Sequence, residues 1–237
     1  MSLLTKILFA AVLTVSISSA FADIQDRHLT GFNGVNVGGS FDVRITQGSS
    51  ESVKVEAPAE MMDKIITEVQ GGILKIYNKR DFNFNWKDWF GGNNHHKVIV
   101  YVAAKNINEI TVSGSGDVFF KDGLTSNNMK IKVSGSGDVF GKVEVKSLEA
   151  GISGSGDMRL SGHAQTSIIS VTGSGDFSGH DLITSTTSVR VSGSGDASVY
   201  VNDRLDAAVS GSGDVRYAGN AKNVSTAKSG SGEIHRN

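Results

Sequence analysis

The chain has no cysteine, one proline (Pro58) and few aromatic residues. The first absence excludes a disulfide framework and a lipid-attachment cysteine. Lysine and arginine number 23 against 24 aspartate and glutamate, a formal net charge of −1. That balance argues against an electrostatic grip on nucleic acid or anionic lipid, both of which need clustered cations. A long apolar run is also missing. The stretch Ile7 to Ile17 is too short to cross a bilayer and none later qualifies, so no transmembrane segment is expected in the mature chain. What that stretch resembles is the apolar part of a secretory signal peptide. Lys6 precedes it and Ala20-Phe21-Ala22 supplies a small-residue cleavage site. The expected division is a signal peptide over 1–22 and one domain over 23–237, beginning near Asp23, periplasmic or secreted.

What the chain has in abundance is glycine, 29 residues, ordered as a repeat. Gly114-Ser115-Gly116-Asp117 recurs as Gly-Ser-Gly-Asp ending at Asp138, Asp157, Asp176, Asp196 and Asp214, with a variant ending at Glu233. Successive acids lie 21, 19, 19, 20, 18 and 19 positions apart. A period near 20 with alternating apolar filling predicts an all-β fold: a single-stranded β-helix, or solenoid, with coils of about 19 residues that bury their apolar faces by stacking.

Two and four residues before each motif stand apolar residues such as Val133 and Ile131, Ile152 and Ala150, Val171 and Ile169, the period of a strand with one buried face. Val118, Val139, Met158, Phe177, Ala197, Val215 and Ile234 form a second column just after the acid. Parity then turns the motif glycines inward and Ser113, Ser115 and Asp117 outward. Variation in coil length falls to turn segments such as Lys121-Asp122-Gly123 and Ser161-Gly162-His163. Perfect repeats span about 112–237. A degenerate copy, Val37 to Ile45, aligns with Val112 to Phe120.

The portion between is atypical. Strands are expected around Val53 to Val55, Ile73 to Tyr77 and Val98 to Val102, and a short helix over Ala59 to Val69. An aromatic-rich loop holds Phe82, Phe84, Trp86, Trp89 and Phe90 within ten positions, both tryptophans of the chain among them.

The run Phe41 to Gly48, with Val53-Lys54-Val55-Glu56, Leu74-Lys75-Ile76, Val98 to Val102 and Ile110 to Asp117, resembles the head GIN domain family of "putative autotransporter adhesins". The likeness extends from about Phe32 to the C-terminus. It implies a β-helix similar in general shape to pectin-lyase-like folds, export to the bacterial envelope, and an adhesive role without an established catalytic set.

Three features are candidate sites. The acidic column of Asp117, Asp138, Asp157, Asp176, Asp196 and Asp214 places carboxylates about 4.8 Å apart on stacked coils, so their repulsion must be relieved. Hydrogen bonds from neighbouring amides would do so, and so would calcium, but the pattern is not that of calcium-binding β-rolls. Paired carboxylates at this spacing also suit glycoside hydrolysis, yet every rung meets the criterion alike and none is singled out. His163, His180 beside Asp181, and His235 interrupt the repeat without metal-ligand spacing. In the aromatic segment, Trp86, Trp89 and Phe90 are expected to cap the solenoid, meet another subunit, or contact a ligand. The outward serine and aspartate face is a solvated wall or a repeated contact surface for polysaccharide or a second copy.

The expectation is a non-catalytic exported envelope protein, an adhesin or a polysaccharide- or surface-binding module, needing no cofactor or metal. A polysaccharide lyase or hydrolase on the same fold, or a purely structural assembly module, is the alternative. The partners expected are envelope or extracellular polysaccharide, or another copy of the chain, and not nucleic acid.

Overall fold

A computed structural model describes residues 23–79 and 98–237. The repeats form a β-solenoid of about seven turns. One wall contains β2 (Gly34–Gly38), β8 (Glu109–Gly114) and the later halves of five long runs, β9 (Val118–Gly135), β10 (Val139–Gly154), β11 (Met158–Gly173), β12 (Phe177–Gly193) and β13 (Ala197–Gly211). It ends with β15 (Asn223–Gly230). The second wall contains β3 (Asp42–Gln47), the early halves of the same runs, β14 (Val215–Ala218) and β16 (Ile234–Arg236). All of these pair in parallel with the coil before and after.

The register follows the apolar alternation. Val133, Ile152, Val171, Val191 and Val209 are paired in succession and are at most 3% exposed. The column after the acid is stacked likewise, Val118 on Val139, Met158, Phe177, Ala197 and Val215. The degenerate copy is in register too, with Val37 opposite Val112 and Val43 opposite Val118.

Length variation falls away from the acidic motif, between the second-wall part of a coil and its return to the first wall. Phe120 pairs with Gly141 and Leu124 with Val143, so Lys121-Asp122-Gly123 is answered by Lys142 alone. That difference of two accounts for the 21-residue first interval.

The first coil in the sequence is not the outermost in space. β2 lies between β8 and β6 (Ile73–Asn78), and β3 lies between β9 and β7 (Ile99–Ala104). Beyond them the pairing turns antiparallel: β5 (Ile65–Gln70) on β6, β4 (Ser52–Ala57) on β7, and β1 (Asp23–Asp26) on β4. The β5–β6 hairpin turns on Gly71 and Gly72, with φ of 61° and 78°, the two positive values that a tight hairpin turn requires. The helix expected over Ala59 to Val69 is therefore corrected. Only α1 (Ala59–Met62) is helical, because the alternating residues from Ile65 onward complete this hairpin. Met62 and Ile65 are buried in the common core. At the opposite end β15 is exposed along its whole length, and Val224 is 43% exposed.

The core contains one polar chain. Ser167, Thr187 and Thr184 are buried, the first two taking the place that Leu148 and Leu205 hold in other coils. The Thr184 hydroxyl donates to the Tyr200 carbonyl at 2.8 Å. Having given its proton there, it must accept from Thr187 at 2.7 Å, and Thr187 in turn accepts from Ser167 at 2.8 Å. Every buried hydroxyl is satisfied, as burial demands.

Two stability outcomes follow. Val171→Asp puts an unpaired charge into the stacked column and is expected to destabilise by roughly 4 kcal/mol, read as a large fall in urea midpoint. Thr187→Val leaves Ser167 without its acceptor and Thr184 without its donor, and should lose about 1–3 kcal/mol. Adding Ser167→Ala to that variant should recover part of the loss; no recovery would show that the chain does not act as a unit.

Candidate functional site

The acidic column is a single ladder joined by hydrogen bonds from main chain to side chain. The main-chain amide of each acid donates to Oδ1 of the acid one coil earlier: Asp138 to Asp117 at 3.0 Å, Asp157 to Asp138 at 2.8 Å, Asp176 to Asp157 at 2.9 Å. Asp196, Asp214 and Glu233 continue it at 2.7, 2.8 and 2.9 Å. The carboxylate thus supplies an acceptor where the chain turns the corner. Arg216 adds a clamp, its guanidinium 3.0 Å from Asp196 Oδ2 and 3.2 Å from Asp214 Oδ2. Glu233 receives from no later rung among the described residues, and there the sequence departs from aspartate.

Glycine is imposed by the same stacking. The carbonyl of Gly114 accepts from the amides of Ser136 and Gly137, and this forked bond recurs at every corner up to Gly211. A Cβ on Gly137 would stand 2.2 Å from the Gly116 carbonyl oxygen, and one on Gly135, where φ is 140°, 2.4 Å from that of Gly114. Phe41 occupies the corresponding place in the degenerate copy. Its neighbour on that side is not another motif corner: the Asp42 amide donates to Val98.

Among the described residues no group of three or more His, Asp or Glu is arranged to hold a metal ion. His180 Nε2 lies 3.0 Å from Asp181 Oδ2 on an exposed corner, His163 is exposed, and His235 stands next to Arg216 on the second wall. Trp86, Trp89 and Phe90 lie outside the described residues.

Sequence reasoning missed a different array. On the second wall the residues two and four places after each acid also face outward, making two further columns beside the acids. The nearer one reads, across six strands in register, Lys54, Tyr101, Arg44, Phe119, Phe140 and Arg159. Phe119 and Phe140 stack with centroids 5.4 Å apart and planes 10° from parallel. The Arg159 guanidinium lies 6.0 Å from the Phe140 centroid, and that of Arg44 lies 5.6 Å from the Tyr101 centroid. Tyr101 Oη donates to Glu56 Oε2 at 2.7 Å. That bond pushes the phenol's pKa up, with burial and the Glu56 charge adding to it and Arg44 opposing. The ring is fixed as a neutral phenol. The farther column carries Thr46, Lys121, Lys142 and Ser161.

Two grooves follow these columns. One, of about 690 Å³, is bordered by Arg44, Lys54, Tyr101, Phe119, Lys121 and Asp122. The other, about 540 Å³, lies between Phe119, Phe140, Lys142, Arg159 and Asp181. Phe119 and Lys121 line both, so the grooves adjoin. The longer segment after Phe120 helps to build them through Lys121 and Asp122. The signal was in the sequence: in the positions two after each acid, Arg44, Phe119, Phe140 and Arg159 stand where later coils have Ser178 and Ser198.

A parallel β-solenoid with equivalent acidic rungs and a groove-bearing outer wall defines the class: a stacked-coil scaffold presenting long surfaces. The chain belongs to the family described as "Putative auto-transporter adhesin, head GIN domain", matched over residues 31–221. A solved structure described as a "putative adhesin" from Bacteroides fragilis is 25% identical, with a TM-score of 0.84 over 92% of this chain and 98% of that one. A "putative lipid binding protein" from Parabacteroides distasonis is also 25% identical, at 0.73 over the same shares. A second protein of that species, a "putative adhesin", shares the fold at 23% identity and a TM-score of 0.71, over 92% of this chain and 98% of that one. No curated protein matches the chain.

If the ladder serves the corners, Asp157→Asn should change the melting temperature little, since the amide oxygen still accepts from Asp176. Asp157→Ala strands that amide and should lose about 1 kcal/mol. Calcium is expected to leave all three proteins' melting curves in place; a calcium-dependent rise abolished by either substitution would make the ladder a metal site.

Proposed function

We propose that the protein is an exported, non-catalytic binding or adhesion protein of the bacterial envelope. The observation that carries this reading is the equivalence of the acidic rungs. Each described carboxylate from Asp117 to Asp214 spends one oxygen on the same main-chain bond. Acid–base catalysis by paired carboxylates needs two groups whose environments differ; the rungs share one main-chain bond, and the one departure among them, the Arg216 clamp, falls on Asp196 and Asp214 alike. Family membership agrees with a surface role, as do the names given to the Bacteroides and Parabacteroides neighbours. No helix among the described residues is long and apolar enough to cross a membrane. A sequence that reads as a signal peptide before Asp23 supports export.

The reading separates from a polysaccharide lyase or hydrolase in one comparison. Protein beginning at Asp23 is incubated with bacterial envelope fractions and with acidic and neutral polysaccharides. Sedimentation with the envelope fraction is expected, with no release of reducing ends or unsaturated sugars. Release of either product, lost on replacing a single ladder aspartate, would make the protein an enzyme.

A further inference from the structure

The adjoining grooves on the second wall have a chemistry that the acidic ladder does not explain. The whole chain carries a formal charge of −1. Yet the residues lining these grooves bring together Arg44, Lys54, Lys121, Lys142 and Arg159 against Asp42, Asp122 and Asp181. Cations are therefore concentrated here and interleaved with half-buried aromatic rings.

The arrangement is linear. Six strands spaced about 4.8 Å apart make a strip on the order of 24 Å long, running along the solenoid axis. Along four of these strands the outward order is acid, then aromatic or arginine, then lysine or hydroxyl: Asp138, Phe140, Lys142 on one coil and Asp117, Phe119, Lys121 on its neighbour, with Asp157, Arg159, Ser161 and Asp42, Arg44, Thr46 on either side. An elongated ligand lying on the middle column would have carboxylates on one flank and ammonium groups on the other. Its negative groups are thereby turned toward Lys121 and Lys142.

We infer that this strip is a binding site for a linear acidic glycan, a chain of sugars bearing carboxylate groups. The inference rests on the surface-binding reading above and names the site and ligand class within it. The guanidinium of Arg159 pairs with a carboxylate through two parallel donors. The Phe119–Phe140 stack holds the row rigid and gives the apolar edges of sugar rings a surface to lie against. Thr46, Ser52 and Ser161 line the same grooves and supply hydroxyls. A bilayer fits less well. Among the described residues the most exposed large apolar side chains, Ile24, Ile168, Ile183 and Val224, line neither groove, and the strip's two phenylalanines are half-buried and flanked by charges.

The test uses protein beginning at Asp23, with polygalacturonate, alginate and neutral dextran immobilised, and phosphatidylglycerol vesicles as a separate arm. Retention on both acidic glycans and not on dextran is expected, falling steeply as salt rises to about 0.5 M, where screening is short-ranged. Lys121→Glu with Arg159→Glu should weaken that retention at least tenfold. Phe119→Ser should weaken it severalfold with the salt dependence kept. The matched charge reversal Lys146→Glu with Arg190→Glu, away from the strip, should leave it within twofold, and melting curves check that each variant is folded. Equal retention by the strip variants, equal loss in the control, or retention on vesicles but on neither acidic glycan overturns the inference. Envelope binding that survives in the strip variants removes this site and leaves the surface-binding reading standing. Failure of the parent to sediment with envelope removes that reading, and binding to polygalacturonate is scored independently of it.

Discussion

The main-chain amide of each acidic residue has to find an acceptor at the corner where one wall becomes the next, and the carboxylate one coil earlier provides it. A coil that turns this sharply cannot keep a continuous carbonyl-to-amide ladder through the turn. The aspartate side chain replaces the missing carbonyl, and the glycine carbonyl beside it accepts two amides at once. Both arrangements need consecutive corners to lie almost on top of one another, which removes any room for a Cβ at the glycines. Coil spacing, apolar columns and flat outer walls are then consequences. A coil may lengthen elsewhere, but it cannot shift at the corner.

This division explains why the fold was legible in the sequence and the groove-bearing strip less so. Corner chemistry repeats, so Gly-Ser-Gly-Asp announced the period, and alternation in Ile131-Lys132-Val133 announced which side faces inward. Even the degenerate copy was recognisable, because Val37 and Val43 had to stack on Val112 and Val118 whatever else changed. The residues from Ala59 to Val69 were misread because helix-favouring residues precede a strand whose partner is settled by a distant hairpin. Tertiary pairing decided that case over local preference. The strip was overlooked for the opposite reason. Attention to what repeats passes over what differs, and Arg44, Phe119, Phe140 and Arg159 are informative because the next two coils carry Ser178 and Ser198 in their place.

Outward positions on a solenoid are released from packing. Once the acid and the glycines have secured the corner, the next outward residue contributes little to the core and is open to selection for contact. In the first coils that freedom is used for aromatic and cationic side chains. In the last it is used for Arg216, which bridges two carboxylates. One scaffold thus carries a chemically distinct surface at each level without altering its interior.

The placement of the first coil has a kinetic meaning. In the repeats each strand meets a partner roughly one coil away along the chain, but Ser113 donates to the carbonyl of Val37 across 76 residues. Closing so large a loop is entropically unfavourable until the surfaces it joins already exist. Short separations favour early pairing, so the later coils are expected to order before the segment from Gly34 to Gln47, whose partners on both sides come from sequence further on. That segment is a keystone and not a foundation.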